Sequence, residues 1–426
     1  MTPYLVRALD KLAGVAIIAI RVAGAARTGK GGDGTLGWLR ERNRERVIGV
    51  LRTQGRTSQA DIARATGLSR TTVSSLVAEL KDSSLVFEVE VKEPHLRGGR
   101  PGVQLVLQDS SSAVLGIDFG HSHVLVALAD LAHNVLAERR CELDVDHNAE
   151  ESLDAAARMA VEVLEEAGIH RKHVIGVGIG IPGPVDRARG TVGSATILPG
   201  WLGLRIAAEM EKRLGFPVEI ENDANLGALA ELTWGSGRDC MNFAYIKVAT
   251  GVGAGLVVDG SLLRGASGTA GEIGHTTLNE SGLLCYCGNR GCLETVASGP
   301  AILRLVSGDD GESVSLTHVI ELAAQGDLRC RRAISDAGRE IGVAVAGLCN
   351  LINPQRIVVG GLLSRSGDLL LQPIRESIRR YTVLAAAECV DVVPATFVER
   401  AELLGALALV IRRSKSTAAI LAPTAP

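Results

Sequence analysis

The stretch that decides the fold reads Gly265-Ala266-Ser267-Gly268-Thr269-Ala270-Gly271-Glu272-Ile273-Gly274-His275. It is followed by Cys285-Tyr286-Cys287-Gly288-Asn289-Arg290-Gly291-Cys292-Leu293-Glu294. One imidazole, His275, and three thiolates, Cys285, Cys287 and Cys292, form a closed tetrahedral ligand set for Zn²⁺. No ligand position is left for a catalytic water, so the zinc expected here is structural. Gly288 and Gly291 let the knuckle turn tightly. Glu272 lies just before His275 and Glu294 just after Cys292, so the metal pins two carboxylates near one point. Carboxylates are strong acceptors for the vicinal hydroxyls of a pyranose. The ring nitrogen that His275 keeps free of the metal can face the same sugar. The other cysteines, Cys141, Cys240, Cys330, Cys349 and Cys389, read as ordinary thiols.

Working outward, apolar runs end repeatedly in acidic or glycine turns. Val114 to Gly120 contains Asp118-Phe119-Gly120, and a second strand over Val124 to Ala129 makes a hairpin around His121-Ser122-His123. A helix over Glu150 to Ala167 precedes a strand over Val174 to Ile181. Glu219-Ile220 leads into Glu221-Asn222-Asp223 and a helix over Leu226 to Leu232. Ala244 to Val248 leads into Thr250-Gly251-Val252-Gly253, and Ile357 to Val359 into Gly360-Gly361 and a helix near Leu369 to Arg380. Strands alternating with helices give an α/β fold whose two halves each bring a glycine turn to a shared cleft. Such turns offer N–H groups that cradle phosphate. That assigns Asp118, Gly120, Thr250, Gly251, Gly253, Gly360 and Gly361 to phosphate or ATP. Asp223, just after a strand, is placed to take a proton from a sugar hydroxyl as general base.

Ahead of this body the pattern differs. Trp38 to Arg52 repeats apolar residues at helical spacing against Arg40, Arg42, Arg44 and Arg46. Ser58 caps a second helix over Gln59 to Ala65, Thr66-Gly67-Leu68 turns, and Ser69 caps a third over Arg70 to Lys81. Helix, glycine turn and helix form a helix-turn-helix. The third helix turns Arg70, Thr71, Ser74 and Ser75 outward, small or hydrogen-bonding groups suited to a major groove. A strand from Leu85 to Lys92 alternates Val86, Glu88 and Glu90 against Phe87, Val89 and Val91. It pairs with Val103 to Leu107 across Arg97-Gly98-Gly99-Arg100-Pro101-Gly102. This is a wing, and Arg100 at its tip fits a narrow minor groove. Ser69, Arg70, Thr71, Ser74, Ser75 and Arg100 are therefore the DNA-contact candidates.

Charge agrees with this division. The net charge is −3, but residues 38–107 hold 12 Lys/Arg against 8 Asp/Glu, residues 1–37 are net +3, and the remainder is net −10. A basic front on an acidic body points to nucleic acid at the front only. Aromatic residues are 3% and Gly 50 of 426, which excludes an aromatic single-strand platform. Eight cysteines in this length are not a disulfide scaffold. No run reaches 18 apolar residues, so no membrane span is expected. Leu12 to Ile20 imitates a signal peptide but is short and cut by Arg21; residues 1–37 read as a disordered tail. The expected domains are this tail, a winged helix-turn-helix over 38–107, and a zinc-bearing sugar-binding body over 112–426, working in the cytoplasm.

The Gly265 to His275 run, the cysteine knuckle and the ordered glycine turns together resemble the ROK family of repressors, open reading frames and kinases. The front helix-turn-helix is similar to the sugar-responsive actinobacterial regulators of that family. The resemblance implies a two-lobed, actin-like sugar-kinase fold. It also implies structural Zn²⁺ on His275, Cys285, Cys287 and Cys292, and sugar contacts from Asn222, Asp223, Glu272, His275 and Glu294. Asp223 matches the catalytic base of the family's kinases.

Two departures stand out. The kinases' Asp-x-Gly-Gly-Thr-Lys turn is here Asp118-Phe119-Gly120-His121-Ser122-His123, which counts against ATP use, and Ile197 stands where many kinases carry Asn before Leu198-Pro199-Gly200-Trp201. The expected function is a sugar-responsive regulator, a repressor of carbohydrate genes such as those of xylose metabolism. It would bind double-stranded operator DNA as a homodimer or homotetramer and respond to a sugar effector. The alternative is an active hexose or N-acetylhexosamine kinase that uses ATP and Mg²⁺, with an appended DNA module.

Overall fold

The computed structural model describes residues 32–82, 86–90, 103–107, 112–131, 133–186, 189–192, 197–307 and 314–421. Three helices open it: α1 (Gly32–Gln54), α2 (Gln59–Thr66) and α3 (Arg70–Asp82), followed by β1 (Val86–Glu90) and β2 (Val103–Leu107). Ser58 caps α2 through a box with Asp61, and Gly67 ends it in the left-handed conformation at φ 68°. Ser69 Oγ accepts from the Thr72 N–H at 3.1 Å and caps α3. Val47, Leu51, Ile62, Val73, Leu76, Val77 and Leu80 close an apolar core. β1 and β2 pair antiparallel, and Leu105 also bridges Thr57, which ties the wing to the start of α2.

Two details differ from the sequence expectation. α1 begins at Gly32, inside the segment assigned to the tail, because adding a turn to an existing helix costs far less than nucleating one. On β1 the covered face carries Val86, while Phe87 is 46% exposed. The wing tip with Arg100 lies outside the described residues, as do residues 1–31.

The body holds two five-stranded sheets. The first is built from β3 (Ala113–Phe119), β4 (His123–Asp130), β5 (Val135–Glu142), β6 (Val174–Ile181) and, beyond the short hairpin β7 (Val185–Asp186) and β8 (Thr191–Val192), β9 (Val218–Asn222). The second comprises β10 (Phe243–Val248), β11 (Val252–Val258), β12 (Ser261–Leu263), β13 (Arg356–Gly360) and β14 (Asp391–Pro394). Their orders are β5-β4-β3-β6-β9 and β12-β11-β10-β13-β14, the same topology twice. In each, three antiparallel strands continue into two parallel ones.

α4 (Ala149–Glu166) and α5 (Ile206–Leu214) belong to the first lobe. α6 (Asp223–Thr233) follows β9. The second lobe carries α7 (Glu294–Ala297), α8 (Gly299–Val306), α9 (Leu316–Gln325), α10 (Leu328–Ile352), α11 (Asp368–Tyr381) and α12 (Leu384–Cys389). The last helix is α13 (Ala401–Leu421). α6 and α13 lie between the sheets and share a core with Tyr245, Val257 and Val358. Glycines let them approach. A Cβ at Gly178 would stand 2.0 Å from the Ala406 carbonyl oxygen, and one at Gly405 2.0 Å from that of Leu226. These contacts fix the first turns of α6 and α13, and with them Asp223 and Glu402, beside β10. Among the described residues, no helix is long and apolar enough to cross a membrane.

Candidate functional site

The cleft between the lobes begins where β9 becomes α6. Asn222 caps α6, its Oδ1 accepting from the Asn225 N–H at 3.2 Å. Its amide donates to the Gly183 carbonyl at 2.9 Å and to Asp223 Oδ1 at 3.0 Å. Asn222 thus spends one amide proton on the β6–β7 turn at Gly183 and the other on Asp223. The other Asp223 oxygen, Oδ2, accepts from Lys247 Nζ at 2.8 Å.

Opposite stand Glu272 and Glu294. Glu294 Oε2 accepts from the Val252 N–H at 3.0 Å; a Cβ at Gly251 would stand 2.8 Å from that oxygen, and one at Gly274 2.1 Å from the Val252 carbonyl oxygen. Burial first, then the neighbouring charges of Asp223 and Glu294, raise the Glu272 carboxyl to a pKa of about 7. The three carboxylates expected at a sugar therefore share one electrostatic neighbourhood.

The knuckle comes together as its spacing predicts. One donor atom from each of His275, Cys285, Cys287 and Cys292 falls within 4.8 Å of all the others, a group that could hold a metal ion. Cys287 Sγ and Cys292 Sγ are 3.7 Å apart, and His275 Nδ1 is 3.6 Å from Cys285 Sγ. Tetrahedral metal–sulfur bonds of roughly 2.3 Å require sulfurs roughly 3.8 Å apart, so the donor set fits. His275 turns Nε2 the other way, 3.2 Å from the Tyr286 hydroxyl and 3.8 Å from Glu272 Oε2. Burial, followed by Glu294, pushes the Tyr286 phenol well up, so it stays a hydroxyl.

The glycine turns assigned to phosphate look different in three dimensions. A Cβ at Gly120 would lie 2.3 Å from the His123 ring, which covers the first turn. His123 Nε2 stands 3.4 Å from Asp118 Oδ2, and His121 Nδ1 2.8 Å from Asp146. One amide of the second turn, that of Val252, is already taken by Glu294. Gly360 makes room for the Tyr245 hydroxyl, and Gly361, at φ 78°, for the Val248 backbone. Packing accounts for both of these. Ile197, in place of the kinases' Asn, lies against Gly183, 2.9 Å from where a Cβ would be.

Lys247 was not among the sequence candidates. It is a lone charge in an apolar strand, and nothing in the local pattern marks it. Its second partner, Glu402 Oε1 at 2.7 Å, lies far away in the chain.

At the front, Ser69, Arg70, Thr71, Ser74 and Ser75 are all exposed along the first turns of α3, so they share one open face. The arginines of α1 do not form a free basic stripe. Arg40 pairs with Glu79, Arg46 donates to the Thr66 carbonyl, and Arg42 binds Asp239 of the body at 2.7 Å. Helix periodicity placed them on the polar side but could not show which neighbours they meet.

The ROK family matches residues 114–413 and the MarR family residues 44–97. The xylose repressor of Caldicellulosiruptor bescii is 31% identical over 88% of this chain and 96% of its own length. A glucokinase of Thermotoga maritima is 33% identical over 70% of this chain and 98% of its own, so the likeness to kinases is confined to part of this chain. A crystal structure of a ROK family transcriptional regulator, homologous to the E. coli MLC protein, superposes with a TM-score of 0.70 and 29% identity. It covers 90% of this chain and 98% of that one.

Proposed function

The chain belongs to the ROK family, and from that premise we propose that it is a sugar-responsive transcriptional repressor of carbohydrate-metabolism genes, xylose metabolism among the candidates. The single observation that carries this is the convergence of Asp223, Glu272 and Glu294 in a cleft on a chain whose front is a winged helix-turn-helix. The metal is Zn²⁺, held by His275, Cys285, Cys287 and Cys292, and its role is structural: it aligns Glu272 and Glu294 on either side of one knuckle. The sugar is held by Asp223, Glu272 and Glu294, with His275 Nε2 and the Tyr286 hydroxyl at the edge. Arg70, Thr71, Ser74 and Ser75 face operator DNA in the major groove, and Arg100 reaches a minor groove. A palindromic operator calls for a homodimer or homotetramer working in the cytoplasm.

The switch has a physical route. α6 starts at Asp223 in the cleft and runs about 16 Å at 1.5 Å per residue. The loop beyond it carries Asp239, the partner of Arg42 on α1. Leu131 packs against the core of the front and against the body as well. Sugar-driven rotation at the start of α6 is passed to the reading head through this join. The coupling equals the difference in sugar affinity between the two lobe arrangements.

The kinase alternative keeps Asp223 but meets a covered first turn and a base already paired with an ammonium. The test is thermal melting of the full chain against aldoses, amino sugars and their phosphate esters. A ligand at 100 times its Kd adds about 2.7 kcal/mol. A stabilising sugar whose shift disappears in Glu294→Ala supports the cleft. If every sugar leaves the melting point unmoved, the cleft does not bind sugar and the proposal fails.

A further inference from the structure

The two sheets place corresponding residues at the floor of the cleft. Asp118 of β3 pairs in register with Gly180 of β6, and Lys247 of β10 with Gly360 of β13. One lobe offers a carboxylate, the other an ammonium. Lys247 Nζ lies 2.8 Å from Asp223 Oδ2 and 2.7 Å from Glu402 Oε1. Glu402 sits in the first turn of α13, where the helix dipole favours an anion. Burial pulls the Lys247 ammonium down, but Asp223, Glu402 and then Asp118 outweigh it and hold its pKa well above the ordinary lysine value. The ammonium has three protons to donate, and two are spent on these carboxylates.

The neighbouring imidazoles are already engaged too. His123 faces Asp118 and fills the space over Gly120, and His121 faces Asp146. The Val252 amide, a donor that a phosphate would seek, is held by Glu294. Asp118, Asp223 and Glu402 thus surround one ammonium, and the local balance is negative. A phosphate brought here meets the negative charge of Asp118, Asp223 and Glu402 with one ammonium proton left to receive it, and turning Lys247 fully toward it would leave Asp223 and Glu402 as uncompensated, largely buried carboxylates, a costly exchange. A neutral sugar leaves the pairs intact and donates hydroxyl protons to the remaining lone pairs of Asp223.

Resting on the sugar-cleft reading, we propose that Lys247 is a built-in counter-ion that makes the cleft selective for an uncharged aldose over its phosphate ester and over a nucleoside triphosphate. The chain then senses sugar before phosphorylation. Asp223, engaged by a fixed cation, serves as a hydroxyl acceptor rather than as a base for phosphoryl transfer.

The experiment is calorimetric titration of the full chain with neutral aldoses, their terminal phosphate esters and ATP with Mg²⁺, in the wild type and in Glu402→Gln. In the wild type an aldose binds, and its ester binds at least about tenfold more weakly, the size of one screened charge contact. Glu402→Gln keeps the size but removes one charge, so the negative field around Lys247 falls and its ammonium can turn a second proton toward a ligand. Aldose affinity then stays within about threefold while the ester tightens by about tenfold or more. An ester, or ATP, that binds the wild type as tightly as the aldose overturns the proposal and leaves the regulator reading standing. So does a Glu402→Gln chain in which aldose and ester weaken together, since Lys247 would then only hold the helices. If neither aldose nor ester binds, the sugar cleft itself is wrong and the proposal falls with it. Should Glu402→Gln fail to fold, the wild-type comparison of aldose and ester decides alone.

Discussion

The reading head and the metal knuckle are both small, and they are held together by opposite means. The head encloses Val47, Leu51, Ile62, Val73, Leu76, Val77 and Leu80, caps its helices and pins its wing through Thr57. The knuckle has no such core of its own. Leu283 is 58% exposed, Leu284 64% and Tyr286 46%, and the loop is closed by four side chains that fit one metal ion. A segment that cannot bury its apolar residues needs another source of order, and metal binding supplies one. The comparison also divides the labour. The head has its own apolar core and suits a fixed reading surface, while on the reading proposed above the carboxylates of the sugar cleft depend on the metal for their placement.

The largest effect should come from breaking the knuckle. Cys287→Ser removes one donor in four, and zinc affinity should fall more than about 100-fold, with aldose binding lost alongside it. Elemental analysis and titration read this out. The head should keep its helical signal and its DNA affinity without sugar, and one retained equivalent of zinc would refute the site. The converse change, Leu76→Ala, empties a position that is 2% exposed and should cost ~2–4 kcal/mol in the head alone. Two-wavelength melting should then show the head unfolding early while the aldose-dependent stabilisation of the body stays.

Smaller effects test the surface of the head and its join to the body. Arg70→Ala should relax base preference at one operator position by ~1–3 kcal/mol in competition binding. A loss equal across all sequences would make Arg70 a phosphate contact instead. The smallest change is Arg42→Ala. An exposed pair such as Arg42–Asp239 contributes at most ~1 kcal/mol. Its loss should leave aldose affinity and basal operator affinity near wild type and weaken only the effect of one on the other. Unchanged coupling would move the route elsewhere, to the Leu131 packing.

Much of this was legible in the sequence because it is local. The capping Ser58 and Ser69 and the turn at Gly67 are each set within a few residues, the His275–Cys292 cluster within one short stretch of chain, and all come together as read. Strand ends were legible for the same reason, since each runs into a glycine or acidic turn. The face of the wing was not, because alternation defines two faces without saying which is covered, and the structure covers Val86 rather than Phe87. β5 and the long helices α10 and α13 were missed as well. α13 is apolar on most sides because it is wedged between sheet and helix, so it shows little of the one-sided periodicity that marks a surface helix. Lys247 was the hardest to see. Its meaning depends on Asp223 and Glu402, which reach it only after the lobes have folded and α6 and α13 have crossed at Gly405.

The central claim is that a sugar held in the cleft changes how the head holds DNA. Fluorescence anisotropy of a labelled operator, titrated with the full chain at fixed salt with and without a saturating aldose that melting has identified, tests it directly. The account predicts an operator affinity at least about fivefold weaker with the aldose present, the lower end of ordinary allosteric coupling. It also predicts that the difference vanishes in Glu294→Ala. Operator affinity that is the same with and without a bound aldose would contradict it.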